Sequence, residues 1–313
     1  MRIACVVQRF GPEVAGGSEA HCLSIAERLA ERHEVTVLTS CATDYISWRN
    51  ELPPGESRVG KLTVVRFESR PRDVSRFHEL SHWVFSGRAP AEDELEWFRL
   101  NGPEMPDLLD YLDRHGDDFD LILFWSYRYY QSFFGLPRVA DRAVLVPTAE
   151  EDPAIHLSVL RGYFSLPAGM LYLTPEEARL VGGRAARTPP SAVVGFGVEP
   201  PTPEPAARER LAARGVPEEF ALYVGRIDPN KGCETLFRYF RRHLEQGGRP
   251  VQLVLAGRPA MEIPDHPSIT SLGFVSPEER DALLSHARLL FMPSPFESLS
   301  IVLLEAWNQG RPA

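Results

Sequence analysis

Short apolar segments alternate with longer amphipathic segments along most of this chain. Short apolar runs bounded by turn residues are typical of buried strands, and the longer periodic segments between them are typical of helices. Strand and helix in alternation predict an α/β fold, with parallel sheets covered by helices. The proline-rich stretch VEPPTPEPAA (198–207) interrupts this alternation, because its prolines can continue neither a helix nor a central strand.

The interruption predicts two Rossmann-like, doubly wound domains (1–197 and 208–313) joined by a linker (198–207). Each domain is long enough to bury a core of its own. The predicted strands cover 3–8, 34–39, 62–67, 121–125, 143–147, 170–173, 221–224, 252–256 and 289–292. The predicted helices cover 17 to about 32, 106–115, 233–244, 277–287 and 298 or 299 to 309. Residues 69 to about 101 are polar and aromatic, and we predict an irregular segment there.

The composition excludes several classes of protein. A net charge of −9 argues against a nucleic-acid partner, which normally requires a basic excess, but leaves room for a local basic patch that meets a membrane peripherally. No apolar run approaches the roughly 20 residues that span a bilayer, and Met1 leads directly into a predicted core strand. The four cysteines lack metal-ligand spacing. We therefore expect a cytoplasmic protein with reduced thiols.

Two motifs near the C-terminus together predict a pocket for a sugar diphosphate. VGRIDPNKG carries Arg226, which can fork onto phosphate oxygens, and Lys231, which adds a point charge. PSPFESLSIVLLEAWNQG carries Glu297 in a predicted turn and Glu305 about 12 Å further along a predicted helix. That span suits one carboxylate on hexose hydroxyls and the other on a ribose. The free N–H groups of the helix start would face the diphosphate.

These residues resemble the nucleotide-sugar site of family 4 glycosyltransferases, a retaining group with the GT-B fold. The resemblance begins with RIACVVQRFGPEVAGGSEAHCLSIAERLAERHEVTVLTS, continues through LVPTAEEDP and LYLTPEEARLV, and ends with the two C-terminal motifs. It implies that Glu297 contacts the transferred sugar and Glu305 holds the ribose. It also implies that Arg226 and Lys231 bind the diphosphate.

The resemblance implies further donor contacts. Gly16 and Gly17 form the glycine loop near the donor, and Gly257 ends the strand-like run VQLVLAG. Ser298 and Leu299 supply backbone N–H groups at the predicted helix start.

The activity implied is transfer of a hexose from a UDP- or GDP-sugar to a hydroxyl acceptor, with retention and without a metal ion or other cofactor. The acceptor, whether a sugar, a lipid-linked sugar or a small molecule, would meet the N-terminal domain. Family members would enter another strand after 311–313, so we expect the second domain to be incomplete at its C-terminus. A sugar-nucleotide isomerase on the same fold and a non-catalytic nucleotide-sugar-binding module remain alternatives.

Glu150 is a candidate on the acceptor side. It begins three consecutive acids after a predicted strand, where many members of the resembled family carry a histidine. Acids at the carboxyl end of a strand in an α/β sheet fit an active-site cleft.

The segment 78–82 is a complete HExxH motif. On a helix, His78 and His82 would share a face and could bind zinc, with Glu79 as a general base. Glu96 or Glu104 would be the third ligand. A zinc protease is the remote alternative, and an amphipathic insertion over the acceptor side is the favoured interpretation.

Overall fold

The computed structural model describes residues 1–12, 14, 16–200, 206–248 and 250–313. The chain divides into two compact units, Met1–Phe196 and Gly197–Ala313. Of the predicted linker, residues 201–205 lie outside the described residues.

The first unit is built on a mixed sheet. Its strands in the described residues are β1 (Arg2–Val6), β2 (Glu34–Ser40), β3 (Gly55–Val59), β4 (Leu62–Phe67), β5 (Leu121–Trp125), β6 (Ala143–Val146), β7 (Gly169–Tyr172) and β8 (Ser191–Val193). Their order is β3-β4-β2-β1-β5-β6-β7-β8, and neighbouring strands are parallel except for the β3–β4 pair. The strand β3 was not predicted, because it is an exposed edge strand without an apolar pattern.

The helices of the first unit are α1 (Gly17–Leu29), α2 (Val74–Val84), α3 (Ala91–Asn101), α4 (Pro106–His115), α5 (Tyr130–Gly135) and α6 (Pro175–Gly182). The prediction of an irregular segment at 69–101 is wrong, because α2 and α3 occupy most of it. The Asp73 side chain caps α2 by accepting from the Arg76 N–H at 3.0 Å. Trp97 and Phe98 of α3 are buried in the core of the unit, and Phe77 of α2 packs against it.

The second unit has a parallel sheet of order β11-β10-β9-β12 in the described residues. Its strands are β9 (Phe220–Val224), β10 (Gln252–Ala256), β11 (Ile269–Ser271) and β12 (Leu289–Leu290). Its helices are α7 (Ala207–Ala213), α8 (Cys233–Glu245), α9 (Pro277–His286) and α10 (Ile301–Asn308). Two apolar clusters, built around Phe220 and Phe237, form its core.

The start of α10 differs from the prediction. Ser300 is the N-cap, and its hydroxyl accepts from the Leu303 N–H at 3.3 Å, so the helix begins at Ile301. Ser298 and Leu299 therefore lie in the preceding loop and do not begin the helix.

All four cysteines are free and buried. None of the described helices is long and apolar enough to cross a membrane.

Candidate functional site

The two C-terminal motifs meet in the second unit. The strand β12 pairs with β9 in parallel, so the loops that follow these strands leave the same edge of the sheet. Gly232, between the first loop and α8, has a φ of 73°. A Cβ added there would lie 2.8 Å from the carbonyl carbon of Pro293 in the second loop. The lack of a side chain at Gly232 therefore lets the two backbones approach closely.

This approach brings Lys231 and Glu297 together. The Lys231 Nζ donates to Glu297 Oε1 at 2.7 Å, across 66 positions of sequence. The two side chains are 33% and 27% exposed, so the ion pair is accessible to solvent. A pair of this kind contributes on the order of 1 kcal/mol or less to stability. The two groups that the sequence assigns to diphosphate and sugar thus lie side by side and separate at small cost.

Arg226 lies on the same loop and has a partner that the sequence did not single out. Its guanidinium forms an ion pair with the buried carboxylate of Asp228. Asp228 also accepts from the Lys231 backbone N–H at 3.0 Å. The buried Tyr223 donates its hydroxyl to the Arg226 carbonyl at 2.6 Å. Burial is the main cause that raises the Tyr223 pKa above its ordinary value, so this hydroxyl stays a donor. Asp228 and Tyr223 together fix the loop that presents both cations.

Gly257 acts through the backbone. It follows β10, and a Cβ there would lie 2.7 Å from the carbonyl carbon of Gly225, at the end of the adjacent β9. Its φ of 153° is also one that L side chains rarely adopt. The loop after β9 can therefore lie directly against the end of β10.

Glu305 is a largely buried carboxylate on α10. Its side chain is 12% exposed, and Oε1 accepts from the Arg280 guanidinium of α9 at 3.0 Å. Its Oε2 atom is buried and has no hydrogen-bond partner among the described residues. Burial raises the Glu305 pKa and outweighs the opposing effect of Arg280. A buried acceptor with a free lone pair can bind a ligand hydroxyl at little desolvation cost.

The first unit contains the predicted glycine loop. Gly16 is the N-cap of α1, which begins at Gly17. A Cβ on Gly16 would lie 2.7 Å from Cδ of Glu19. Glu19 is buried and accepts from Arg9 Nε at 2.8 Å, and Arg9 also donates to the Thr43 carbonyl at 2.8 Å. This buried ion pair lies directly against Gly16 and was not recognised in the sequence.

Glu150 lies at the carboxyl edge of the first sheet, as predicted. Its carboxylate is 3.4 Å from the Arg128 guanidinium, which contacts Asp152 more closely at 2.7 Å. On the same edge, Ser126 and Thr148 follow β5 and β6 with φ of 64° and 48°. Such left-handed backbone in non-glycine residues is strained and often marks functional sites. No local sequence signal identifies these two positions.

The HExxH segment is helical, as a zinc site would require, but its side chains face solvent. His78, Glu79 and His82 are exposed on α2. The two proposed third ligands are paired with arginines, Glu96 with Arg76 and Glu104 with Arg70. Among the described residues, no group of three or more His, Cys, Asp or Glu side chains could hold a metal ion. The amphipathic-helix interpretation of this segment therefore fits its geometry better.

Comparison with known families finds a match for most of the second unit. Residues 218–313 match the model of the family described as glycosyl transferases group 1. This part of the chain is a glycosyltransferase group 1 domain. The group 1 domain contains every C-terminal site residue named above.

Two relatives match part of the chain. The α-D-kanosaminyltransferase of Streptomyces kanamyceticus is 36% identical over 116 residues, which are 34% of this chain and 29% of that protein. An uncharacterized glycosyltransferase of Methanocaldococcus jannaschii is 32% identical over 104 residues, 30% of this chain and 26% of that protein. The chain therefore matches less than a third of the length of either relative.

Solved structures match the whole chain in fold. Sucrose-phosphate synthase from Thermosynechococcus elongatus aligns with a TM-score of 0.71 and 18% identity, over 99% of this chain and 80% of that structure. Anabaena HepE in complex with UDP and glucose aligns with a TM-score of 0.66 and 17% identity, over 100% and 79%. The predicted α/β fold of GT-B type is confirmed.

Proposed function

We propose that the protein is a retaining glycosyltransferase that moves a hexose from a UDP- or GDP-sugar to a hydroxyl acceptor. The observation that carries this proposal is the contact between Lys231 and Glu297 on adjacent loops of the group 1 domain. The similarity to HepE, whose structure contains UDP and glucose, supports a nucleotide-sugar donor.

The cations of the site are neutralised by carboxylates in the structure. Lys231 is paired with Glu297, and Arg226 with Asp228. A donor diphosphate would compete with Glu297 for Lys231, and the weak solvent-accessible pair would exchange readily. The exchange would release the Glu297 carboxylate to accept from sugar hydroxyls. In the absence of donor, the ion pair thus keeps the Lys231 ammonium and the Glu297 carboxylate at the site.

The transfer step requires stabilisation of the departing diphosphate. Lys231 and Arg226 would supply positive charge where negative charge develops. Glu297 would orient the sugar ring, and the buried Oε2 of Glu305 would accept from the ribose. We assign no protein nucleophile. The Gly16–Gly17 loop and Glu150 of the first unit are proposed to serve the donor and the acceptor side.

The test separates diphosphate binding from sugar binding. Nucleotide affinity is measured by calorimetry for UDP, GDP and ADP and for their glucose and mannose conjugates. The variant Lys231→Met loses a charge-assisted contact worth about 1.5–3 kcal/mol. It should therefore bind UDP or GDP roughly tenfold or more weakly than the parent protein. Arg241→Met removes an equal charge from the exposed face of α8 and is the matched control. It should bind like the parent protein.

Glu297→Gln removes the carboxylate that competes for Lys231. This variant should bind the nucleoside diphosphate at least as tightly as the parent protein and lose transfer activity. Wild-type nucleotide affinity in Lys231→Met would contradict the proposed diphosphate site. The anomeric configuration of the product, read by NMR, tests retention. Nucleotide-sugar binding without transfer to any acceptor would favour the binding-module alternative.

A further inference from the structure

A cleft of about 440 Å³ lies in the first unit, between residues 156–161 and the C-terminal end of α6. Its lining includes His156, Ser158, Arg161 and Arg184. The volume falls within the range of about 300–1,000 Å³ of small-molecule sites. Among the described residues, the charged side chains of the lining are two arginines and no carboxylate. The chain as a whole has a net charge of −9, whereas the lining itself carries these two arginines.

A buried carboxylate outside the lining holds one wall of the cleft in place. Glu94 of α3 is 7% exposed, and its Oε2 accepts from the Ser158 hydroxyl at 2.8 Å and from the Val159 N–H at 2.9 Å. Both donors belong to the 3₁₀ turn Ser158–Leu160, which immediately precedes Arg161. Hydrogen bonds to a buried charged group are among the stronger ones in proteins, so this turn is firmly placed.

The His156 ring orients Arg184, the second arginine of the lining. The Arg184 guanidinium lies within hydrogen-bond reach of His156 Nδ1, and His156 Nε2 lies 2.6 Å from Glu151 Oε1. Because a guanidinium can only donate, Nδ1 must accept and Nε2 must carry the hydrogen that Glu151 accepts. One edge of Arg184 is therefore held by the ring, and its remaining N–H groups are available to a ligand.

Arg161 differs from Arg184 in an informative way. A cation at the end of α6 is favourable with respect to the helix dipole, so Arg184 also has a structural explanation. Arg161 is exposed, and within the described residues it has no ion pair and no hydrogen bond to its side chain. Two arginines line one polar cleft, and guanidinium groups supply the kind of N–H donors that bind phosphate oxygens.

We propose that this cleft binds the phosphate group of a small phosphate ester. The site uses residues of the first unit alone, and it does not depend on the donor site in the group 1 domain. Binding would place phosphate oxygens on Arg161 and Arg184, with no change in covalent structure.

The test measures binding of glycerol 3-phosphate and of inorganic phosphate by calorimetry at low ionic strength. The double variant Arg161→Gln/Arg184→Gln should weaken glycerol 3-phosphate binding at least about tenfold, the effect expected for loss of a charge-assisted contact. Arg179→Gln is the matched control, because Arg179 is an exposed arginine of α6 outside the lining. It should change the affinity less than about twofold, and Lys231→Met should leave it unchanged.

Three results with the variants would overturn the proposal. Undiminished binding by the double variant would show that the arginines do not form the site. An equal loss in Arg179→Gln would show general charge attraction, and a loss in Lys231→Met alone would place the phosphate in the group 1 domain. Arg161→Gln alone should weaken binding without lowering the melting temperature, which guards against a purely structural effect of Arg184.

Further ligands distinguish the sources of the phosphate. Phosphatidylcholine vesicles with and without phosphatidylglycerol are sedimented with each variant. Tighter binding of glycerol 3-phosphate than of inorganic phosphate supports a soluble ester. Binding to phosphatidylglycerol vesicles alone, lost in the double variant, would overturn the soluble ester in favour of a lipid headgroup. Equal affinity for acetate would overturn phosphate recognition.

Discussion

Gly232→Ala tests the backbone contact that joins the two halves of the candidate donor site. Two costs arise at this position. The left-handed backbone, with φ of 73°, disfavours alanine by about 1–2 kcal/mol. The added Cβ would also overlap the backbone carbonyl of Pro293, and relieving such an overlap costs about 1–3 kcal/mol. We expect a total loss of about 2–5 kcal/mol in the free energy of unfolding.

Gly247→Ala is the matched control. Gly247 has nearly the same φ, 71°, in the same unit, and a Cβ there would meet nothing within 4 Å. Only the backbone cost of about 1–2 kcal/mol applies to it. Urea denaturation followed by circular dichroism gives both losses, and their difference isolates the contact with Pro293. UDP or GDP affinity should fall about tenfold or more in Gly232→Ala and stay unchanged in Gly247→Ala, because only the first change displaces the loop that carries Lys231 and Arg226.

Equal destabilisation by the two alanines would refute the steric reasoning. A destabilised Gly232→Ala protein that still binds nucleotide like the parent would refute the link between this contact and nucleotide binding. In that case the contact would support the fold but would not set the position of Lys231 for binding a diphosphate.

Two further predictions concern buried carboxylates of the first unit. Burial raises the Glu177 pKa from 4.5 to about 7, against partial compensation by backbone N–H groups. The folded state keeps this proton after the unfolded chain has lost it, so stability from Glu177 should fall by up to about 3 kcal/mol between pH 4.5 and 7. Urea titrations read by tryptophan fluorescence should show that Glu177→Gln lacks this dependence; parallel pH profiles would contradict it. Glu19→Gln leaves Arg9 buried without its carboxylate and should cost about 3–5 kcal/mol, whereas the exposed Glu31→Gln should cost less than about 0.5. Equal costs for these two variants would show that the ion pair is unimportant.

Elements with a strong local pattern were predicted closely. The strands at 62–67, 121–125 and 252–256 and the helix at 106–115 were predicted with the bounds that the structure shows. In these segments the apolar period agrees with the burial that tertiary structure imposes. The helices at 74–84 and 91–101 were missed, because exposed aromatic and charged side chains obscure their period. The start of α10 was placed too early, because Ser298 and Ser300 are equally good caps by residue type and only the observed hydrogen bond distinguishes them.

Candidate residues of the group 1 domain could also be selected from residue type and spacing. Arg226, Lys231 and Glu297 were selected without coordinates. The side chains that pair with the candidate residues were not predicted. Asp228, the partner of Arg226, lies within the first motif, but nothing in the sequence indicates that it is buried. Arg280, the partner of Glu305, lies in a segment for which the sequence predicted only a helix. Pairing of this kind depends on which elements lie next to one another.

The sequence by itself determined the alternation of strand and helix, the side chains suited to a diphosphate and a sugar, and hence the fold class. The tertiary structure alone decided that β12 lies beside β9, across 66 positions from Lys231 to Glu297. The order of strands in a parallel sheet is set by packing between distant segments, which no local period encodes. The need for glycine at position 232 likewise follows only from the tertiary structure, because a side chain there would overlap the Pro293 carbonyl.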